Sequence, residues 1–270
     1  MTVLERNNVT VTGNQSAAQT MVFAHGFGTD QRVWQTVASA FADDFRLVLF
    51  DYVGANEKTV STFNPARYRN FYAFADDLLD IMEVLQLQDV LFVGHSAGSM
   101  TGFLAATQEP QRFAKIIALN ASPCYVNQEG YSGGFDESDL TELFAQMASN
   151  FNAWASGFAP IVMGNADRPQ LAEYFARTLQ GMRPDVALAS AKTLFRSDHR
   201  AEMPQVGVPV LLIQARHDAA VPTPVSEYLR DHIPHSRLEI IDTEGHFPHI
   251  SDPDRVISLI RAEVSESLCN

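Results

Sequence analysis

The chain has 270 residues, with 19 Lys and Arg set against 32 Asp and Glu, a formal charge of −13. Phosphate binding draws on a basic surface, so this balance argues against nucleic acid as a partner. With 46% apolar and 19% charged residues the composition is globular, and disorder and coiled coil are disfavoured.

No run approaches the roughly 18 consecutive apolar residues of a membrane span. The opening Met1 to Asn8 lacks the basic and then apolar pattern of a signal peptide. Two cysteines, Cys124 and Cys269, give no disulfide framework. The expectation is a soluble cytoplasmic protein with reduced thiols and no membrane partner.

Short β-rich runs alternate with longer helix-period segments, the pattern of a parallel sheet with helices on both faces. A weak strand at Val9 to Val11 is followed by stronger ones at Met21 to Ala24 and Arg46 to Asp51, with a helix at Val33 to Phe41 between them. A helix at Tyr72 to Leu87 leads to a strand at Val90 to Gly94, a helix at Ala97 to Gln108 and a strand at Lys115 to Asn120. The alternation resumes with a strand at Val210 to Gln214, a helix at Thr223 to His232, a strand at Arg237 to Ile241 and a helix at Asp254 to Leu268. Most of these strands are continuous apolar runs, as strands buried on both faces should be.

Between Ser122 and about Met203 the alternation fails, and only helix-period patterns occur. Leu140, Leu143, Phe144, Met147, Phe151, Trp154 and Phe158 step by three or four and line one helical face; Leu171, Tyr174, Phe175 and Leu179 form a second set. Apolar helical faces must be buried, and a lid over one end of the sheet would bury them. The expected division is a core of residues 1–122 and 203–270 with a helical lid of residues 123–202.

The chemistry centres on Gly94-His95-Ser96-Ala97-Gly98, which matches Gly-x-Ser-x-Gly between a predicted strand and a predicted helix. On so tight a turn a serine is held in strained geometry with its Oγ above the sheet, and a Cβ at either glycine would collide with neighbouring chain. A serine hydroxyl is a poor nucleophile at neutral pH, so it needs a general base and a third group to fix that base's tautomer. Asp218 and His246 each follow a predicted strand at its carboxyl end, and the order Ser, Asp, His is that of the nucleophile-elbow hydrolases. Competitors are His217 and His249 for the base and Asp242 for the acid. The spacing His246-x-x-His249 has no further ligand cluster beside it, so no metal is expected. His25-Gly26-Phe27-Gly28 follows another strand, and its turn directs backbone N–H groups toward the serine. The backbone N–H groups of Phe27 and Ala97 are the expected oxyanion donors.

Over nearly its full length the chain resembles the RsbQ-like branch of the α/β-hydrolases, a group related to the karrikin and strigolactone receptor hydrolases. The resemblance is carried by His25-Gly-Phe-Gly-Thr-Asp-Gln, Phe50-Asp-Tyr-Val-Gly, Val93-Gly-His-Ser-Ala-Gly, Ser122-Pro-Cys-Tyr-Val-Asn, Gly133-Gly-Phe, Ser197-Asp-His-Arg and Gly245-His-Phe-Pro-His-Ile-Ser. It implies an α/β-hydrolase fold: a mostly parallel central sheet flanked by helices, with a four-helix lid inserted after the sixth strand. It also places Ser96, Asp218 and His246 in the triad and makes Phe27, Phe135, Trp154, Phe158 and Phe195 the aromatic wall of a small closed pocket. Asn56 and Lys58 depart from the family pattern, which usually has a second glycine and a serine there; a changed loop on an intact fold is expected.

The reading is a cofactor-free serine hydrolase for a small apolar ester, lactone or activated carbonyl compound. The alternative is a ligand receptor with slow or single-turnover hydrolysis. By the resemblance, such a receptor regulates a PAS-domain phosphatase in sigma-factor and stress-response signalling. Perhydrolysis or carbon–carbon bond cleavage on the same triad is a third reading, which sequence does not separate from the first because selectivity resides in pocket shape.

Overall fold

A computed structural model describes residues 1–268, with side-chain environments described through residue 265. Cys269 lies outside the described residues. A seven-stranded sheet organises the chain: β1 (Thr10–Gly13), β2 (Thr20–Ala24), β3 (Arg46–Phe50), β4 (Val90–His95), β5 (Phe113–Leu119), β6 (Val210–His217) and β7 (Ser236–Glu244), in the spatial order β1-β3-β2-β4-β5-β6-β7. Only β1 runs antiparallel to its neighbour; every other pair is parallel.

The apolar runs are buried on both faces. Along β4, Val90 and Phe92 enter one core while Leu91 and Val93 enter the other, and β2 and β6 divide in the same way. The period-two alternation of a strand is present, but both phases are apolar. The two edge strands are the exceptions, since no residue of β1 is buried and only Ile241 is along β7.

The helices are α1 (Val3–Arg6), α2 (Gln35–Ser39), α3 (Tyr72–Val84), α4 (Ala97–Gln108), α5 (Glu137–Ser149), α6 (Phe151–Met163), α7 (Pro169–Gln180), α8 (Pro184–Phe195), α9 (Thr223–His232), α10 (Pro248–Ser251) and α11 (Pro253–Leu268). Helices α3 and α4 pack on one face of the sheet through Leu78, Met82, Phe103 and Leu104. On the other face, α2 and α11 pack through Val37, Ala38, Val256 and Ile260.

Three expectations are corrected. The four-helix insertion leaves the sheet after the fifth strand, not the sixth, because the residues before β1 form α1, a helix closed by a Thr2–Glu5 capping box, and add no strand. The helix expected at Val33 to Phe41 is a 3-10 turn, Gln31–Trp34, followed by the short α2. The long apolar face from Leu140 to Phe158 is split between α5 and α6. Asn150 ends the first with φ −152° and caps the second by accepting a hydrogen bond from Ala153 N at 3.0 Å.

The insertion leaves and returns side by side. Cys124 and Asp198 form an antiparallel bridge, and His199 N donates to Pro123 O at 2.8 Å. Cys124 is buried there with its Sγ 3.6 Å from Val126 O, and burial pushes its thiol pKa up. At Asn56 the loop changes through the side chain: Nδ2 donates to Asp51 Oδ2 at 2.9 Å while Oδ1 accepts from Lys58 N at 3.0 Å.

Candidate active site

Ser96 follows β4 and precedes α4 with φ 52° and ψ −117°, a left-handed conformation that L residues adopt rarely. The flanking glycines make it feasible. A Cβ on Gly98 would stand 2.3 Å from Ala24 O, and one on Gly94 would stand 2.6 Å from Ser99 N. Contacts that short onto backbone have no cheap relief, so only glycine fits at either position. Ser96 N donates to Leu119 O at 2.8 Å, which ties the turn to the end of β5.

His246 is fixed from three sides. Its N–H donates to Val162 O, at the end of lid helix α6, at 2.7 Å. Its carbonyl accepts from His95 Nε2 at 2.7 Å. Its Nδ1 lies 2.7 Å from Asp218 Oδ2, and since a carboxylate accepts, Nδ1 carries a proton and donates it to that bond. Gly245, at φ +89°, is required beside it, because a Cβ there would fall 1.9 Å from Met163 O.

The Asp218 side chain is fully buried and accepts four hydrogen bonds. Oδ1 takes the N–H groups of Ala220 and Val221 at 2.8 and 3.1 Å, and Oδ2 takes Asn120 Nδ2 at 2.6 Å beside His246. Asn120 stands at the end of β5 with φ 46°, one of the few residue types that tolerate that conformation. Its Oδ1 accepts from Ala215 N of β6 at 3.3 Å. The sequence reasoning missed it; its position at a strand's carboxyl end, next to the strand that delivers Asp218, was the available signal.

The competing residues are placed elsewhere. His217 is exposed, and Asp242 pairs with Arg216 on the surface at 3.3 Å. His249 is buried, stacked on Trp34 with ring centroids 4.4 Å apart. Burial and the nearby His246 push its pKa down to about 3. His95 is shifted the same way, first by burial and then by His249 and His246.

The loop after β2 packs against the serine turn. A Cβ on Gly26 would meet His95 Nδ1 at 2.6 Å and Ser96 Cβ at 3.3 Å. His25 braces the loop: its Nδ1–H donates to Gly26 O at 2.8 Å, and its Nε2 accepts Tyr52 N–H at 3.1 Å. Burial holds its pKa down, which favours the neutral ring this pattern requires. The N–H groups of Phe27 and Ala97 have no acceptor among the described residues.

Ser96 and His246 line a small cavity of about 30 Å³ with Phe27, Tyr125, Phe158 and Phe195. Tyr125 Oη lies 3.4 Å from Ser96 Oγ, and burial raises its pKa to about 12, so it is a neutral hydroxyl at physiological pH. Phe175, which the sequence pattern put on a lid-helix face but not in the pocket, and Phe247 complete the aromatic wall. Phe135 and Trp154 stand farther out, in a groove between α5 and α6 that reaches the surface. Phe158 lines both spaces, and Phe135 still touches Phe195 at 5.7 Å between ring centroids.

A sharp strand-to-helix serine turn, a histidine and a buried acid after the last two strands, and a loop of free N–H groups after an early strand define a class of fold and site together. The chain belongs to the α/β-hydrolase family, whose characteristic fold matches residues 19–253. It is 41% identical to a Karrikin insensitive 2 receptor of Petunia hybrida and 40% identical to a strigolactone esterase of Pisum sativum, in each case over 98% of both chains. Among solved structures, a hydrolase from Oleispira antarctica superposes with a TM-score of 0.93 at 33% identity, over 97% of this chain and 96% of that one. The hydrolase and esterase character of the chain rests on this kinship.

Proposed function

We propose that the protein is a serine hydrolase for small, mostly apolar esters, lactones or activated carbonyl compounds, with Ser96, His246 and Asp218 as its triad. The observation that carries this reading is the elbow serine sharing a small, largely apolar cavity with a histidine whose Nδ1–H is bound to a buried carboxylate. In this mechanism His246 Nε2 takes the Ser96 proton as Oγ bonds to the substrate carbonyl carbon. The carbonyl oxygen gathers negative charge against the Phe27 and Ala97 N–H groups. The bond to the leaving oxygen then breaks as His246 returns the proton to it. Water, deprotonated by the same histidine, releases the acid from Ser96. Asp218 holds the tautomer and stabilises the imidazolium. The core of residues 1–122 and 203–270 carries the chemistry, and the lid of residues 123–202 shapes what reaches it.

Intact mass measured over time after mixing with p-nitrophenyl acetate tests the proposal. An acetyl adduct that forms and clears in the wild type, and is absent in Ser96→Ala, is the expected result. Hydrolysis by Ser96→Ala equal to that of the wild type would refute it.

The relatives named as receptors favour a second reading, in which slow turnover reports a ligand to a protein partner. By resemblance to the RsbQ-like branch that partner would be a PAS-domain phosphatase. A persistent adduct in the same experiment, together with co-purification of such a phosphatase, distinguishes it.

A further inference from the structure

The loop that carries His246 is held by two separate parts of the chain. From the core, Gly245 N donates to His217 O at 2.8 Å and His95 Nε2 donates to His246 O at 2.7 Å. From the insertion comes the corner between α6 and α7, where Gly164 and Asn165 take left-handed conformations in succession, with φ 57° and 55°. The corner and the loop touch directly, since a Cβ on Gly164 would lie 2.8 Å from Glu244 Cγ. Besides Val162 O, which accepts from His246 N, the corner contributes two side chains that the mechanism above does not use.

Asn165 is buried, and both ends of its amide are engaged. Nδ2 donates to Met163 O at 2.9 Å and to Glu244 O at 2.8 Å, and Oδ1 accepts from Arg168 Nη2. The arginine fixes which end of the amide is oxygen, because a guanidinium only donates. Through Nη1 the same guanidinium donates to Ser251 O at 2.7 Å, at the end of α10. One amide and one guanidinium thus bracket His246 along its own backbone, at Glu244 before it and at Ser251 after it. Among the described residues that line the catalytic cavity, neither Asn165 nor Arg168 occurs.

Resting on the hydrolase reading above, we infer that Asn165 and Arg168 are positioning residues of the triad, which act on His246 through the backbone of its loop. Asp218 ties the imidazole at Nδ1, but where the ring then sits relative to Ser96 depends on the backbone that carries it. A shift of that backbone changes the separation of Nε2 from Ser96 Oγ, and proton transfer is steep in that separation. His246 serves both half-reactions, so loosening the clamp slows acylation and deacylation alike. Ester binding, which neither side chain touches, is left as it is.

Three variants test the assignment. Asn165→Asp keeps the shape and tolerates the left-handed backbone, but sets an oxygen against two carbonyl oxygens. Arg168→Met keeps most of the stem and removes both donors, whereas Arg168→Lys keeps the charge and one donor group. Arg168 is half-buried, so its two variants carry the test without Asn165→Asp. Acylation by p-nitrophenyl acetate and the following deacylation are measured in single turnovers, and the low-field proton resonance of His246 Nδ1–H is recorded on the same folded samples. In Asn165→Asp and Arg168→Met both rate constants should fall together by about tenfold. The half-saturating ester concentration should stay unchanged, the resonance should shift or broaden, and Arg168→Lys should recover part of the rate. If both rate constants of folded Arg168→Met stay within about twofold of the wild type, or acylation alone falls while the resonance is unchanged, the positioning role is wrong and the hydrolase reading stands. If the wild type forms no Ser96-dependent acetyl adduct, both proposals fall.

Discussion

Replacing His249 with Phe should change how stability depends on pH. The ring of His249 is 1% exposed, stacks on Trp34, lies 4.4 Å from the His95 ring centroid, and has no hydrogen bond at either nitrogen among the described residues. Its folded pKa of about 3 lies far below the value of about 6.5 for a histidine in the unfolded chain. Above pH 6.5 the ring is neutral in both states and adds no pH dependence. As pH falls, the unfolded chain takes up a proton that the folded protein refuses, so stability is lost from pH 6.5 down to about 3. The slope approaches about 1.4 kcal/mol per pH unit, which amounts to about 1.4 kcal/mol between pH 7.5 and 5.5. His95 drives the same trend in both proteins; burial, the first cause of its shift, is kept in the variant, so its contribution cancels except for the part that His249 itself adds. Phe preserves the flat stacked ring and removes two unpaired nitrogens, so the variant should fold normally at pH 7.5. Urea titrations at pH 7.5, 6.5 and 5.5 should show the variant gaining on the wild type by about 1.4 kcal/mol over that range. Parallel stability–pH curves would refute a neutral, buried His249.

Asp218→Asn leaves the space filled but reverses the hydrogen-bond demand at His246 Nδ1, so kcat should fall by about 10⁴-fold, measured in single-turnover acylation. Asn120→Ala removes one of the four donors that hold Asp218; a loss of about tenfold in kcat with KM unchanged, reduced by Asn120→Gln, marks a positioning residue. Gly98→Ala places a Cβ against Ala24 O and should cost about 2–4 kcal/mol in urea unfolding. Asp77 is fully buried between Arg6, Arg67 and Tyr68 at 2.6, 2.5 and 2.7 Å, so Asp77→Ala should cost about 2–3 kcal/mol. The value sits at the low end because both arginines reach solvent.

Sequence reasoning located the strands closely because their apolar runs end at the turns where chemistry begins, as at Val93-Gly94 and Ala24-His25. The groupings around Ser96, Phe27, Asp218 and His246 were legible because strand-end loops of a parallel sheet converge on one edge. What escaped detection depends on distances between segments remote in sequence. Asn120 is separated by 98 residues from the carboxylate it binds. His95 reads as a variable position within Gly-x-Ser-x-Gly, yet it donates to a carbonyl 151 residues away. Asn150 interrupted a continuous apolar pattern because capping is local, whereas hydrophobic periodicity averages over a window. The lid aromatics shared one sequence pattern but fell into two spaces, since helical period specifies a face and not what that face meets. The Ser197-Asp-His-Arg motif serves at the base of the insertion, where Asp198 pairs with Arg200 at 2.6 Å and the guanidinium lies 4.6 Å from the Tyr131 ring centroid.

The adjacent departure and return of the insertion make it a modular attachment. Its two ends meet at the Cys124–Asp198 bridge and the His199–Pro123 hydrogen bond, between strands that already lie next to each other in the sheet. A segment joined at one seam can be exchanged for another of different length or shape while the strand order is kept. The elbow, the acid and the N–H loop all lie outside that seam. Two of the site residues are nonetheless tied across it: His246 N–H donates to Val162 O, and Ser96 Oγ lies 3.4 Å from Tyr125 Oη. A transplanted lid would therefore need to restore the backbone acceptor at Val162 and the donors that Asn165 and Arg168 give to Glu244 O and Ser251 O to keep the histidine loop aimed, while the rest of its surface could set a new selectivity.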